Sequence, residues 1–261
     1  MKQLLLEDLE EVGSRIASAP YLLVCLDFDG TLAAIADSPD KVRLEPETRS
    51  LLGELAQRPG VTLAVISGRN RAELQSLINL PDLIYAGNHG LEISGPGFVF
   101  VEPTASACRE HVQALAAELS ARLASIPDAI VEDKRLTLSV HDRKVSDEKQ
   151  DEVRRLVHAA LANSAHPFQM TAGDRIYDIR PRVAWDKGVA VNWIRKQIGK
   201  PNALVIYLGD DAPDEDAFAG LQDDVTIKVG LDGETVARYR LETLADVRRF
   251  LCWLSSRRSS R

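Results

Sequence analysis

Two aspartates that directly follow an apolar run are the residues of this chain best suited to chemistry. The run 21–26 is apolar throughout, without alternation, which is typical of a strand buried on both faces in a parallel sheet. Asp27 and Asp29 come next and are expected at the strand's carboxyl end, where open α/β sheets keep their active crevices. Two close carboxylates repel each other unless a proton or a cation neutralises one of them. An acidic surface turn, for which Asp-Gly is a common sequence, is the alternative that these residues alone leave open.

A second concentration of carboxylates predicts a cation site. Five acids occupy the seven positions 210–216, directly after the apolar run 203–208. An acidic helix start explains 214–216 but not Asp210 and Asp211. Mg²⁺ binds in proteins through one or two carboxylates together with waters and phosphate oxygens. This segment therefore favours a Mg²⁺-binding site.

Polar side chains follow two further apolar runs. Ser67 follows the run 61–66, and its hydroxyl could be offered to an anion or could cap a helix. Asn88 and His89 follow the run 83–86 and are flanked by glycines, which allow close approach of the backbone to a ligand. A single histidine in such a loop more often has a structural role, so this loop is a weaker candidate than the acidic segments.

Lys187 is expected at the start of a helix, where the helix dipole disfavours a cation. Its position therefore indicates an anionic partner. A solvated lysine would cost little and is the alternative interpretation.

The elements that must position these residues form two groups. Strand, loop and helix alternate through residue 90 and again from Trp185 to a last strand at 225–229 and a closing helix at 241–254, which predicts a parallel sheet. Between these segments, after a hairpin at 91–101, the pattern changes to paired strands and two long helices. The sequence thus predicts an α/β protein with a small α+β domain inserted into it.

The bulk composition excludes some classes of function. The chain has 261 residues, of which 45% are hydrophobic and 27% are charged, as in ordinary globular proteins. A net charge of −7 argues against nucleic-acid binding through a basic face, and no apolar run reaches membrane-spanning length. Acids from Glu7 onward argue against a signal peptide. Three scattered cysteines predict a reducing, cytoplasmic location without a disulfide framework or a zinc site.

Together, the residues at the four strand ends resemble the motifs of the haloacid dehalogenase superfamily of phosphotransferases. The motifs occur in the right order, and the insertion falls where that superfamily places its larger cap domains. The resemblance implies a Rossmann-like parallel-sheet core over 1–103 and 180–261, with an α+β cap domain over 104–179 that governs substrate specificity. The matching segments are Asp27-Phe28-Asp29-Gly30-Thr31-Leu32, Ser67-Gly68-Arg69, Lys187, and Gly209-Asp210-Asp211-x-x-Asp214.

Within that superfamily the chain most resembles trehalose-6-phosphate phosphatases. The resemblance implies that the loop after the third strand and charged cap residues hold a disaccharide phosphate. It places sugar contacts on Asn88, His89, Glu132, Lys134 and Asp178, although many family members have the longer glutamate at position 178. The segments that carry this resemblance are 87–90, 131–134, 139–143, 179–181, 185–188 and 214–218.

The family's chemistry, carried over to the matching positions, is hydrolysis of trehalose 6-phosphate through an aspartyl-phosphate. Asp27 would be the nucleophile, and Asp29 the general acid and base. Mg²⁺ would be held by Asp27, the main-chain carbonyl of Asp29 and Asp210. Asp211 and Asp214 would complete or support this metal shell.

The resemblance also implies how the substrate is held. Ser67 and Lys187 would bind the phosphoryl oxygens, where charge resides in the transition state. Thr31 and Arg69 are further expected substrate contacts. The chain is expected to act as a monomer on a small molecule, with neither nucleic acid nor membrane as partner.

The sequence leaves two other functions open. A phosphatase for a sucrose or glycosylglycerate phosphate, or a phosphosugar mutase, would share the catalytic set and differ in the cap. A non-catalytic sugar-phosphate-binding domain would be expected to lack Asp27 or Asp29, and both are present.

Overall fold

A computed structural model describes residues 3–7, 9–36, 38–173 and 175–257 of the chain. Within this part the chain divides into two compact units, one formed by the described residues up to 100 and from 185 onward, the other by those from 101 to 184. The strands are β1 (Gln3–Leu4), β2 (Leu22–Leu26), β3 (Val61–Ile66), β4 (Ile84–Gly87), β5 (Glu92–Gly95), β6 (Phe98–Val101), β7 (Ile130–Asp133), β8 (Leu138–His141), β9 (Phe168–Gly173), β10 (Ile176–Pro181), β11 (Leu204–Gly209), β12 (Val225–Val229) and β13 (Tyr239–Leu241). The α-helices are α1 (Glu10–Ser18), α2 (Pro46–Ala56), α3 (Arg71–Ile78), α4 (Pro103–Ala107), α5 (Arg109–Leu123), α6 (Asp147–Asn163), α7 (Lys187–Gln197), α8 (Ala212–Gly220) and α9 (Leu244–Arg257).

The first unit is built on one mostly parallel sheet, which confirms the predicted α/β fold class. Over the described residues its strand order is β1-β13-β12-β11-β2-β3-β4-β5-β6. Every pair from β1 to β4 is parallel, and β5 runs antiparallel to β4. β2 and β11 are adjacent in the middle of the sheet, so the residues that follow them are brought to the same edge.

β2 is buried on both faces, as its unbroken apolar run predicts. Leu22, Val24 and Leu26 point into one hydrophobic core, while Leu23 and Cys25 point into the core on the opposite face. Alternate side chains of a strand point to opposite faces, so a run without polar residues fits a sheet covered by helices on both sides. Each fully buried leucine or valine stabilises the fold by roughly 1.5–3 kcal/mol.

The second unit is a four-stranded antiparallel sheet covered on one face by helices, which confirms the predicted α+β insertion. Its strand order is β7-β8-β10-β9. Apolar residues of α5 and α6 pack on one face of the sheet, among them Leu119, Val153 and Val157. The register aligns Glu132 and Asp178 with Ser139, which lies between them on β8. These three side chains therefore share one face of the sheet.

Three predicted elements differ from the structure. One of the two long helices predicted in the insertion is interrupted at Cys108, which ends α4 and precedes α5 with backbone angles of φ −86° and ψ 0°. The run 225–229 is not the last strand, because β13 follows it and is too short to produce a recognisable period. The closing helix predicted to end at 254 continues as α9 to Arg257, and residues 258–261 lie outside the described part of the chain.

Candidate active site

Asp27 is the buried centre of a group of charged side chains at the carboxyl edge of the parallel sheet. It directly follows β2, is 5% exposed, and donates its backbone N–H to the carbonyl of Leu208 on β11 at 2.9 Å. Carboxylate oxygens of Asp27, Asp210 and Asp214 all lie within 4.8 Å of one another. Three of the acids named from the sequence are thus brought into one cluster by adjacent strands.

Lys187 supplies the positive charge of this cluster. Its ammonium lies 2.7 Å from Asp27 Oδ1 and 2.6 Å from Asp214 Oδ1, and the side chain is 3% exposed. Burial lowers the pKa of Lys187, but the two carboxylates outweigh this effect and raise it above the ordinary value. The anionic partner expected from its place at the start of α7 is therefore supplied by the chain itself.

Asp214 holds the cluster together through four donors. Its Oδ1 accepts hydrogen bonds from Lys187 and from the Tyr207 hydroxyl at 2.8 Å. Its Oδ2 accepts the backbone N–H groups of Asp210 and Asp211, both at 3.0 Å. Since both oxygens are engaged, Asp214 acts here as an anchor for Lys187 and for the loop after β11.

Asp210 faces Asp27 and is positioned by neighbours from two other segments. The Thr31 hydroxyl donates to Asp210 Oδ1 at 3.0 Å, and Lys228 on β12 donates to the main-chain carbonyl of Asp210. Gly30, with φ +86°, permits this approach, because a Cβ there would lie 2.0 Å from Asp210 Oδ2. Asp211, by contrast, is exposed and outside the carboxylate cluster, where its side chain caps the start of α8.

The electrostatics of the cluster fit a divalent cation. With all groups ionised, the three carboxylates of Asp27, Asp210 and Asp214 and the one ammonium of Lys187 carry a net charge of −2, which a divalent cation would neutralise. Burial raises the pKa of Asp27 well above its ordinary value; Lys187 opposes this and the neighbouring acids reinforce it. Burial, reinforced by the charge of Asp214, raises the pKa of Asp210 to about 7. Burial and the neighbouring acids thus disfavour the ionised carboxylates, which a metal ion bound among them would stabilise.

Asp29 is held apart from this cluster by an arginine from the next strand end. Arg69 binds both of its carboxylate oxygens, with Nε–Oδ2 and Nη2–Oδ1 distances of 2.8 Å. The arginine side chain is 8% exposed, and it also contacts Glu73 on α3. The sequence did not predict this pair. Asp29 was expected to carry protons and Arg69 to contact the substrate, and in the structure the two side chains bind each other.

The loops after β3 and β4 are joined beside Arg69. Asn88 and His89 donate their backbone N–H groups to the carbonyls of Arg69 and Ser67, at 2.7 and 2.9 Å. Ser67 is 1% exposed, and its hydroxyl oxygen accepts the N–H of Arg69, so its proton can be offered to an anion. Asn88 and His89 have φ values of 51° and 58° and are buried. Non-glycine residues in this left-handed region are strained, and such strain is concentrated at functional sites.

The charged residues predicted in the cap form two ion pairs on the polar face of the four-stranded sheet. Lys134 lies 3.4 Å from Asp178 Oδ1, and the Ser139 hydroxyl donates to the same oxygen. His141 Nε2 lies 2.8 Å from Glu132 Oε2. The aspartate at position 178 thus reaches its neighbours despite being one methylene shorter than glutamate.

Tyr207 and Lys228 are the site residues that sequence reasoning missed. Tyr207 belongs to the apolar run 203–208 and Lys228 to the strand predicted over 225–229, and neither was assigned a role. Tyr207 is fully buried, and burial together with the charge of Asp214 raises the pKa of its hydroxyl above the ordinary value. The sequence signal that could have identified them was a polar group near the carboxyl end of each buried strand.

The chain has the fold of a haloacid dehalogenase-like hydrolase from Bacteroides thetaiotaomicron, with a TM-score of 0.59 at 16% identity, over 89% of this chain and 99% of that chain. A family model described as "Trehalose-phosphatase" matches residues 25–243. The chain belongs to the trehalose-phosphatase family, and it is therefore a phosphoric monoester hydrolase.

Individual relatives agree with this assignment. The chain is 33% identical to trehalose 6-phosphate phosphatase RA3 of Zea mays, over 94% of this chain and 73% of that protein. It is 33% identical to a trehalose-phosphate phosphatase of Mycobacterium marinum, covering 93% of this chain but only 64% of the longer relative. The C-terminal domain of Candida albicans trehalose-6-phosphate phosphatase has the same fold, with a TM-score of 0.83 at 19% identity and 98% coverage of both chains.

Proposed function

We propose that this chain hydrolyses trehalose 6-phosphate to trehalose and phosphate, with Mg²⁺ and through an aspartyl-phosphate on Asp27. The observation that carries the proposal is the buried carboxylate of Asp27, held 2.7 Å from Lys187 beside Asp210. Family membership supports the reaction class, and the relatives' names support the substrate.

Asp27 is the proposed nucleophile. One of its oxygens bonds to phosphorus while the bond from phosphorus to the sugar oxygen breaks, which gives the aspartyl-phosphate. Lys187 fixes the direction of the carboxylate and is close enough to neutralise negative charge on the phosphoryl group. Ser67 is the proposed second donor to that group.

Asp29 is the proposed proton carrier. It gives a proton to the departing sugar oxygen and then accepts a proton from the water that attacks phosphorus and releases Asp27. Arg69 contacts both oxygens of the Asp29 side chain and so fixes the direction in which this group can give or accept a proton. Arg69 is therefore proposed to position Asp29 rather than to bind substrate alone.

The carboxylates of Asp27 and Asp210 and the main-chain carbonyl of Asp29 are the proposed ligands of Mg²⁺. When bound, the ion would neutralise the carboxylates and act as a Lewis acid toward the phosphoryl oxygens. Thr31 and Lys228 hold Asp210 in place through its side chain and its carbonyl. Asp214 supports the proposed metal ligands indirectly, because it holds Lys187 in place. Asp211 is assigned to helix capping.

Residues 104–179 are proposed to form the specificity domain. Glu132, Lys134 and Asp178 lie on the polar face of its sheet and offer both charge signs to sugar hydroxyls. Asn88 and His89 are the proposed sugar contacts from the sheet domain.

Every helix in the described part of the chain is too short or too polar to span a membrane. The three cysteines are free, which supports the further proposal of a monomeric cytoplasmic enzyme.

The proposal is tested by measuring phosphate release from a panel of substrates with Mg²⁺ or with EDTA. Trehalose 6-phosphate should give the highest kcat/KM, above sucrose 6-phosphate, glucose 6-phosphate and p-nitrophenyl phosphate, and EDTA should abolish turnover. Preference for another sugar phosphate would overturn the substrate assignment alone. If none of the esters were hydrolysed, the result would favour a non-catalytic domain that binds sugar phosphates.

A further inference from the structure

A cavity of about 420 Å³, broadly open to solvent, lies at the sheet edge opposite the carboxylate cluster. It is lined at the start of β2 by Pro20 and at the start of β11 by Ala203 and Leu204. Asp27 and Asp210 follow the other ends of these same two strands. The cavity is therefore separate from the proposed active site, and its volume is in the range of small-molecule sites.

Two arginines give the wall of this cavity a positive charge. Arg15 near the end of α1 donates to the main-chain carbonyls of Asp223 and Asp224, and Arg195 near the end of α7 pairs with the Asp224 carboxylate. The other oxygen of that carboxylate accepts the Val205 N–H at 2.9 Å. Asp224 is the only acid among the lining side chains, so the two guanidinium groups leave a net charge of +1 on the wall.

Arg195 also has an unsatisfied donor. Its Nε has no hydrogen-bond partner among the residues that the structure describes, but it is closed off from solvent, so a ligand in the cavity would have to be bound through the Nη groups. Buried polar atoms without a partner are uncommon and call for an explanation. Ser18 and Asn202 also line the cavity, and the Ser18 hydroxyl donates to the carbonyl of Arg15.

We propose that this cavity binds a small organic oxyanion, a carboxylate or a phosphate ester of roughly the size of citrate or a monosaccharide phosphate. A guanidinium group binds either oxyanion through paired N–H donors, and its net positive surroundings disfavour cations. The alanine, proline and leucine side chains of the wall suit the carbon skeleton of such a ligand. This inference stands independently of the proposed reaction.

Isothermal titration calorimetry of the full chain with citrate and with glucose 6-phosphate tests the proposal. EDTA is present throughout, so that phosphate esters are not recruited by a metal at the carboxylate cluster. Saturable binding of at least one probe, at one site per chain, is expected, and the probe that binds identifies the oxyanion. Arg195→Met should weaken binding about tenfold or more, because it removes a charged donor. Arg154→Met, an equal loss of charge at an exposed arginine of α6, should leave it unchanged.

A second variant guards against misfolding of Arg195→Met, which leaves the carboxylate of Asp224 without its arginine. Asn202→Trp keeps both arginines, and its large ring at an exposed lining position should block the cavity and abolish binding. Binding of neither probe to the wild-type chain would overturn the proposal. Equal affinity of the wild-type chain and a folded Asn202→Trp variant would overturn it as well, since the probe would then occupy another site.

Discussion

The guanidinium group of Arg69 binds Asp29 through two parallel hydrogen bonds of 2.8 Å. Paired bonds of this kind fix direction as well as distance. Asp29 is the proposed proton carrier, and this contact determines where its carboxylate points relative to Asp27, two residues earlier in the chain. Arg69 is thus expected to matter for kcat more than for substrate binding.

Arg69→Met should lower kcat by about 10- to 100-fold, because an unpositioned acid–base group loses much of its effect. Arg69→Lys should have an intermediate effect, since one ammonium cannot reproduce the paired contact. Arg71→Met is the matched control, as Arg71 is nearby and pairs with Glu92 instead. Equal kcat values for Arg69→Met and Arg71→Met, at equal thermal stability, would contradict the positioning role.

Tyr207→Phe should reduce both stability and activity. The change removes the 2.8 Å hydrogen bond to Asp214, which costs about 1 kcal/mol of unfolding free energy, and frees Asp214 to shift with Lys187. We expect kcat to fall by about 3- to 10-fold, a loss of roughly 1 kcal/mol in the transition state.

Tyr85→Phe is the control for this substitution. Tyr85 is also buried, and its hydroxyl bonds to the main chain of Leu80 instead of to the cluster. It should lose a similar amount of stability in a denaturant titration while keeping its kcat. If the two variants lost stability alike and neither changed kcat, Tyr207 would have only a structural role.

Lys134→Ala should impair hydrolysis of trehalose 6-phosphate far more than hydrolysis of p-nitrophenyl phosphate. Lys134 is 5% exposed and ion-paired with Asp178 in the cap, so its loss removes a sugar contact and disorders another. A fall of about tenfold or more in kcat/KM is expected for the sugar phosphate alone. Lys149→Ala, at an exposed lysine of the same domain, should change neither value. Equal losses of Lys134→Ala on both substrates would rule out a sugar contact.

Without metal, the free energy of unfolding should fall as pH rises from about 4 to about 7. Burial raises the pKa of Asp210 from 3.8 to about 7, so in this interval the folded chain holds a proton that the unfolded chain has released. The contribution is at most on the order of 4 kcal/mol. Mg²⁺ binds the ionised carboxylate and should remove most of this slope.

Thermal unfolding between about pH 5 and pH 8, in EDTA and in Mg²⁺, measures this effect. Asp210→Asn supplies the control, because it cannot titrate and should show a flatter profile in EDTA. Parallel profiles for the wild-type chain and Asp210→Asn in EDTA would show that Asp210 does not carry the proton.

The parallel core was predictable because its signals are local and repeated. Apolar runs that end in polar residues identify β2 and β11 and place Asp27 and Asp210 at one edge, since parallel strands share their carboxyl ends. The inserted domain was recognisable because paired strands replaced the strand–helix alternation. Its polar face follows from the register that aligns Glu132, Ser139 and Asp178.

The contacts that organise the site were not predictable, because they join residues far apart in the chain. The Arg69–Asp29 pair and the Tyr207–Asp214 bond depend on how strand ends approach one another. Asp211 and Asp214 have the same side chain and were assigned the same metal-supporting role. Burial distinguishes them, since Asp214 is 0% exposed with four donors, whereas Asp211 is an exposed helix cap.

Turnover of trehalose 6-phosphate by Asp27→Asn tests the central claim most directly. The amide cannot form the phosphoryl ester, so kcat should fall by about a thousandfold or more. The fold should persist, because the change removes one charge from a cluster of net charge −2. Asp211→Asn, at the exposed helix cap, should keep most of the activity. A folded Asp27→Asn variant that retained more than a few per cent of wild-type turnover would contradict the account.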